Sequence, residues 1–142
     1  MQEKDLTTLI IMSTHNAKAQ FELGNYYHNH NKQDLANECY KKSADQGYAE
    51  AQYHLGYIFE NQSGIEFSKL FLDPNKRYLV DLAQEYYKKA ADQGFTEAQY
   101  RLGNLFEKQG KTELAREYYT KAAQKCFCAA FALAGLDCEA KK

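Results

Sequence analysis

Along most of this chain, apolar residues return at three- and four-residue intervals, the spacing of one face of an α-helix. The segments DLANECYKKSADQG, DLAQEYYKKAADQG and ELAREYYTKAAQKC share one order: an acidic residue, Leu-Ala, then tyrosine, lysine and a small residue. Helical spacing puts Leu35, Ala36, Tyr40 and Ser43 on one stripe. Leu82, Ala83, Tyr87 and Ala90 form a matching stripe, and Leu114, Ala115, Tyr119 and Ala122 a third. Asp34, Asp73 and Thr112 stand near the starts of these helices as N-cap residues. Two of the segments stop at Asp-Gln-Gly, where Gly47 and Gly94 suit the left-handed conformation that ends a helix.

Each segment follows another helical stretch marked by a Leu-Gly pair: Leu23-Gly24, Leu55-Gly56 and Leu102-Gly103, with Ala134-Gly135 as a related pair. A glycine inside a helix costs roughly 1 kcal/mol relative to alanine. Its return implies a partner helix that comes too close for a Cβ, so the helices pair as hairpins. The glycines lie 32, 47 and 32 residues apart, so the middle unit carries 15 extra residues. The stretch Lys41–Glu60 returns almost unchanged as Lys88–Glu107, spanning the junction between one hairpin and the next. Recurrence at this period predicts an all-α fold, an α-solenoid of antiparallel helical hairpins. The expected organisation is a single repeat domain over 1–142. It has a cap segment at 1–15, repeats at 16–47, 48–94 and 95–126, an insertion at 62–80 in the second repeat, and a half repeat with tail at 127–142.

Two stretches break the repetition. In the insertion, Asp73-Pro74 reads as an N-cap followed by proline at the first helical position. A helix is therefore predicted from Pro74 to about Gln93, two turns longer than its siblings. Phe67, Leu70, Phe71 and Leu72 precede it as an apolar cluster that either folds back on the solenoid or contacts a partner. The second stretch, FCAAFALAGLDC (Phe127–Cys138), reads as the first helix of a fourth unit. Its Phe127, Phe131, Leu133 and Leu136 either bury one broad face against the third unit or form a self-association surface. At the other end, a short helix over Asp5–Met12 is expected to cover the first hairpin with Leu6, Leu9 and Ile10.

Composition narrows the function classes. The 142 residues carry a formal charge of −1 and an ordinary 44% apolar content, which favours neither nucleic acid nor an anionic membrane. Twelve Tyr and eight Phe against no Trp suggest aromatic packing between helices. The apolar run Leu9–Met12 is too short for a secretory segment or a membrane span, so the expected location is cytoplasmic. On one helix, Cys128 and Cys138 stand about 15 Å apart, too far for a disulfide. Free thiols are expected at Cys39, Cys126, Cys128 and Cys138. His28-Asn29-His30 has a spacing that splays the rings apart, and no phosphate loop, nucleophile elbow or zinc-protease motif occurs. Glu85–Lys89 and Glu117–Lys121 read as solvated helix pairs. No catalytic, cofactor or metal residue is expected, and the protein is not read as an enzyme.

The stretches AEAQYHLGYIFENQSG (Ala49–Gly64) and TEAQYRLGNLFEKQG (Thr96–Gly110), with the weaker AKAQFELGNYYHNHN (Ala17–Asn31), resemble the Sel-one-like repeats, a subclass of the tetratricopeptide repeat superfamily. ECYKKSADQG, EYYKKAADQG and EYYTKAAQK match the second half of that motif, and the resemblance covers about Asn16–Asp137. It implies a right-handed superhelix whose first helices line a concave groove. The groove positions would be Lys18, Phe21, Asn25, His28 and Asn29, then Glu50, Tyr53, Tyr57, Glu60 and Asn61, then Glu97, Tyr100, Asn104, Glu107 and Lys108. Tyrosines and amides there suit peptide binding. Glu50, Glu60, Glu97 and Glu107 make the groove acidic and favour a partner protein or peptide with a basic or amide-rich patch.

The resemblance implies a bacterial-type interaction scaffold or adaptor. The principal alternative is an immunity or inhibitor protein that covers a toxin or enzyme. A small-ligand binder or hydrolase is the remaining class, and self-association through the last helix stays open.

Overall fold

The computed structural model describes residues 3–63 and 74–140, and side chains at 3–5, 75 and 137–140 fall outside that description. The Phe67, Leu70, Phe71 and Leu72 cluster therefore lies outside the described residues. Among those described there are eight helices and no strand. They are α1 (Glu3–Ser13), α2 (Ala17–Asn29), α3 (Gln33–Asp45), α4 (Ala49–Gln62), α5 (Pro74–Asp92), α6 (Thr96–Lys108), α7 (Thr112–Ala123) and α8 (Phe127–Ala140). The chain divides into two compact units, Met1–Leu55 and Gly56–Lys142.

The helix ends follow local chemistry. The Asn16 side chain caps α2 by accepting from the amides of Lys18 and Ala19 at 2.9 and 3.3 Å. At the end of α3, Gly47 takes φ 89°, and its amide donates to the Ala44 carbonyl at 2.9 Å. Gly94 does the same after α5 with φ 85°. The long helix begins at Pro74 and runs 19 residues, against 13 for α3 and 12 for α7. The expected side-chain caps on α3 and α7 do not form. Lys32 and Lys111 stand at those positions without a side-chain cap bond, and Asp34 lies in the first turn of α3.

In the first unit, α2 and α3 make a hairpin whose contact is an aromatic ring seated on a glycine. Tyr40 is wholly buried, and a Cβ on Gly24 would stand 2.7 Å from its ring. The close approach predicted from the helix glycine is therefore a tyrosine filling the space of the missing methyl. Ser43 closes the start of the pair by donating to the Ala17 carbonyl at 2.6 Å. Leu35, expected on the buried stripe, is exposed, and the stripe consists of Ala36, Tyr40 and Ser43. Helix α1 packs on α2, where Leu9 joins Ala19, Leu23 and Cys39 in a small core that Leu6 and Tyr27 flank. Ile10 points away from that core and is 42% exposed.

The second unit repeats the device twice. A Cβ on Gly56 would meet the Tyr87 ring at 2.6 Å, and one on Gly103 would meet Tyr119 at 2.7 Å. Junctions are pinned by glutamine. Gln52 in the first unit donates to the Ala44 carbonyl, and Gln99 in the second donates to the Ala91 carbonyl, both at 3.2 Å. Each bond lies within one of the two recurring stretches, Lys41–Glu60 and Lys88–Glu107, at matching positions. The exposed pairs Glu85–Lys89 and Glu117–Lys121 form at 3.4 and 3.0 Å.

The last helix, α8, packs on α7. Its burial pattern corrects the pairing of Ala134-Gly135 with the Leu-Gly pairs. Ala129 and Leu136 are buried and Leu133 is half-buried, as are Ala98, Leu105 and Leu102 on α6, all three fully buried there. In this register Leu133-Ala134 is the counterpart of Leu102-Gly103, and Gly135 falls one position later. Nothing lies within 4 Å of a Cβ placed on Gly135.

Candidate protein-interaction surface

The expected groove residues sort into those held inside hairpins and those facing solvent. In the first unit, half-buried Asn25 accepts the Tyr40 hydroxyl at 2.8 Å. His28 is exposed, its Nδ1 2.9 Å from the Gln33 side-chain oxygen, and exposed Glu50 accepts the Tyr48 hydroxyl at 3.1 Å. Asn25 and Asn29 line a depression of about 340 Å³ together with Glu22, Tyr26 and His30. The last three were not among the expected groove residues, although spacings of three, four and seven place Glu22, Asn25, Tyr26 and Asn29 on one face of α2, with His30 at its C-cap. Phe21 is buried among Tyr40, Tyr48 and His54, at ring distances of 5.4, 5.5 and 5.8 Å, and Tyr53 is half-buried. Burial lowers the His54 pKa, and nearby His28 reinforces the shift.

The second unit gives Glu60 a different place from the one expected. It is only 5% exposed, accepts the Tyr87 hydroxyl at 2.5 Å, and lies 3.8 Å from the Arg101 guanidinium. A buried carboxylate is costly unless it is paired and hydrogen-bonded, and here it is both. Glu60 therefore serves the hairpin's interior. Glu107 is exposed, yet it receives the Tyr119 hydroxyl at 2.5 Å. Tyr57, 38% exposed, carries the Arg101 guanidinium over its ring at 5.2 Å. Glu97 is exposed, Asn104 is half-buried, and Tyr100 packs 5.8 Å from Tyr119.

Two of the tyrosines that close the hairpins, Tyr40 and Tyr119, have raised pKa values. Burial is the main reason that the Tyr40 pKa rises to about 12. Burial also raises that of Tyr119, reinforced by its hydrogen bond to Glu107. A second depression, of about 610 Å³, opens among α1, α2 and α3, with Ile10, Leu23, Leu35 and Cys39 among its apolar lining. Sequence spacing gave no sign of it, because it depends on how α1 meets the hairpin. Cys39, Cys126 and Cys128 are free thiols. Among the described residues no group of His, Cys, Asp or Glu could hold a metal, and no helix is long and apolar enough to cross a membrane.

Helical hairpins closed by tyrosine on glycine, recurring along the sequence, define the chain as a helical-repeat protein. The Sel1 repeat model matches residues 17–48, 49–66 and 73–95, and the tetratricopeptide repeat model matches 96–126. The chain belongs to the Sel1 repeat family. Among solved structures it is similar to a Sel1 repeat protein from Oxalobacter formigenes, at 29% identity and a TM-score of 0.73, covering 93% of this chain and 98% of that one. It is also similar to c5321, a protective antigen present in uropathogenic Escherichia coli strains that displays an SLR fold. There the identity is 28% and the TM-score 0.65, over 85% of this chain and 26% of that one. A search of curated proteins finds no match. Sel1 and tetratricopeptide repeat proteins generally mediate protein–protein interaction.

Proposed function

We propose that this chain is a docking scaffold that holds a partner protein or peptide on the outward positions of its first helices. The observation that carries this reading is the split among the groove acids. Glu60 is buried against Tyr87, whereas Glu50, Glu97 and Glu107 stand at the surface, Glu50 and Glu107 each accepting one tyrosine hydroxyl. In the first unit, Glu50 and the amides of Asn25 and Asn29 suit a partner with basic or amide-rich chemistry, the amides reaching backbone groups and the acid steering approach. In the second unit, Glu97, Tyr57 and Asn104 offer the same mixture, with the tyrosine supplying contact area at low entropic cost.

The test is affinity capture with mass spectrometry, comparing the wild type with Asn25→Ala/Asn29→Ala and Tyr57→Ala/Asn104→Ala variants. A partner recovered by the wild type is expected to be depleted from one or both. Equal recovery by all three would remove these faces from the account.

A further inference from the structure

In the second unit each closing tyrosine donates its hydroxyl to a glutamate four residues after the helix glycine. Tyr87 bonds Glu60 Oε2 and Tyr119 bonds Glu107 Oε2, both at 2.5 Å. The two acids differ in what else they meet. Glu60 is 5% exposed, and the Arg101 guanidinium lies 3.8 Å from the same oxygen. Glu107 stands in solvent, and among the described residues no cation pairs with it. Lys111, four residues on, lies over the Phe106 ring at 5.8 Å instead.

The repeat register shows why the cation is missing. Arg101 stands on α6 one residue before the Leu-Gly pair and reaches the acid of the preceding first helix. Where Ala98, Leu102 and Leu105 align with Ala129, Leu133 and Leu136, the counterpart of Arg101 on α8 is Ala132. A methyl group supplies neither charge nor reach. The tyrosine and the acid of the arrangement are thus kept, and the arginine is gone. The residue beside the acid also changes. Tyr57 lies under the Arg101 guanidinium at 5.2 Å, whereas its counterpart is half-buried Asn104. Asn104 hydrogen-bonds Tyr119, whose own proton goes to Glu107, so the amide nitrogen is the donor. Its carbonyl oxygen is left to accept. A carboxylate beside an amide oxygen suits several donors held in one plane, which is guanidinium rather than ammonium chemistry.

We propose that Glu107 and Asn104 form a seat for an arginine side chain of the docked partner, in the place that Arg101 fills one repeat earlier. The inference rests on the docking reading and narrows it, since the partner is then a protein or peptide that presents an exposed arginine. Its guanidinium completes a carboxylate that Tyr119 satisfies on one side only. A lone side chain on a solvent-facing acid is held weakly. Its dissociation constant is on the order of 10 mM, and the partner's other contacts add to it.

Nuclear magnetic resonance titration of the full chain with end-blocked Gly-Arg-Gly tests this, with Gly-Lys-Gly and the neutral Gly-citrulline-Gly as controls. The arginine peptide is expected to shift the Asn104 side-chain amide and the Glu107 backbone amide saturably. The lysine peptide should bind at least about threefold more weakly, and the citrulline peptide should not saturate. Glu107→Gln still accepts the Tyr119 hydroxyl through its amide oxygen, so a thermal melt should show the fold retained while binding falls at least about fivefold. Ala132→Arg supplies the missing side chain from within and should abolish peptide binding. Equal affinity for the arginine and lysine peptides overturns the proposal, as do shifts that never saturate or that Glu107→Gln leaves unchanged. The docking reading stands or falls separately, because the Asn25→Ala/Asn29→Ala capture does not touch this seat.

Discussion

The three tyrosine-closed hairpins and the last helix use the same ingredients to opposite ends. In α2, α4 and α6 a glycine admits a buried ring, and the hydroxyl of that ring reaches Asn25, Glu60 or Glu107. In α8 the equivalent position is Ala134, and the aromatic side chains are the exposed Phe127 and Phe131. The repeat's glycine is thus a seat for one particular ring.

Removing a buried ring has the largest expected effect. Tyr87→Ala is expected to cost about 3–5 kcal/mol through the cavity it leaves, measured by denaturant unfolding. Phe131→Ala, which empties no core, should stay within about 0.5 kcal/mol of wild type. Deleting the hydroxyl alone comes next. Tyr87→Phe takes a donor from the buried Glu60 carboxylate and should cost about 1.5–3 kcal/mol, while Tyr40→Phe takes one from the half-buried Asn25 amide and should cost about 0.5–1.5 kcal/mol. Equal losses would mean that the buried acid gives the second unit no special dependence on its tyrosine.

The smallest effect at neutral pH becomes visible in alkali. Tyr40 has its folded pKa raised from 10.0 to about 12, so its contribution is complete below pH 10. It is lost as pH rises through about 12, because the unfolded chain releases the proton first. Tyr119 shifts in the same direction. Stability followed by circular dichroism should therefore decline above pH 10, together with the appearance of phenolate absorbance. Tyr40→Phe should show a shallower decline.

Much of this was legible in the sequence, because it rests on local chemistry. Pro74 fixed the start of α5, Gly47 and Gly94 marked helix ends, and the helix glycines announced close contact. What escaped depended on partners distant along the chain. Glu60 reads as a surface acid by its spacing on α4, and only the Tyr87 ring, beyond the insertion, draws it inside. Leu35 and Leu114 fit a buried period yet stand exposed, because alanine and tyrosine already fill the contact. Ala134-Gly135 resembles Leu-Gly by composition, and only the burial of Ala129 and Leu136 shows the shift of one residue.

Glycine matters in this fold where a ring is seated on it. Paired thermal melts of Gly103→Ala and Gly135→Ala address it directly. The added methyl at 103 would lie 2.7 Å from the Tyr119 ring, whereas the one at 135 meets nothing within 4 Å. Gly103→Ala is expected to destabilise by about 1–3 kcal/mol through overpacking. Gly135→Ala should be neutral or stabilise by up to about 1 kcal/mol through helix propensity. Shifts of the same sign and size at both positions would mean that ring seating does not set the need for glycine.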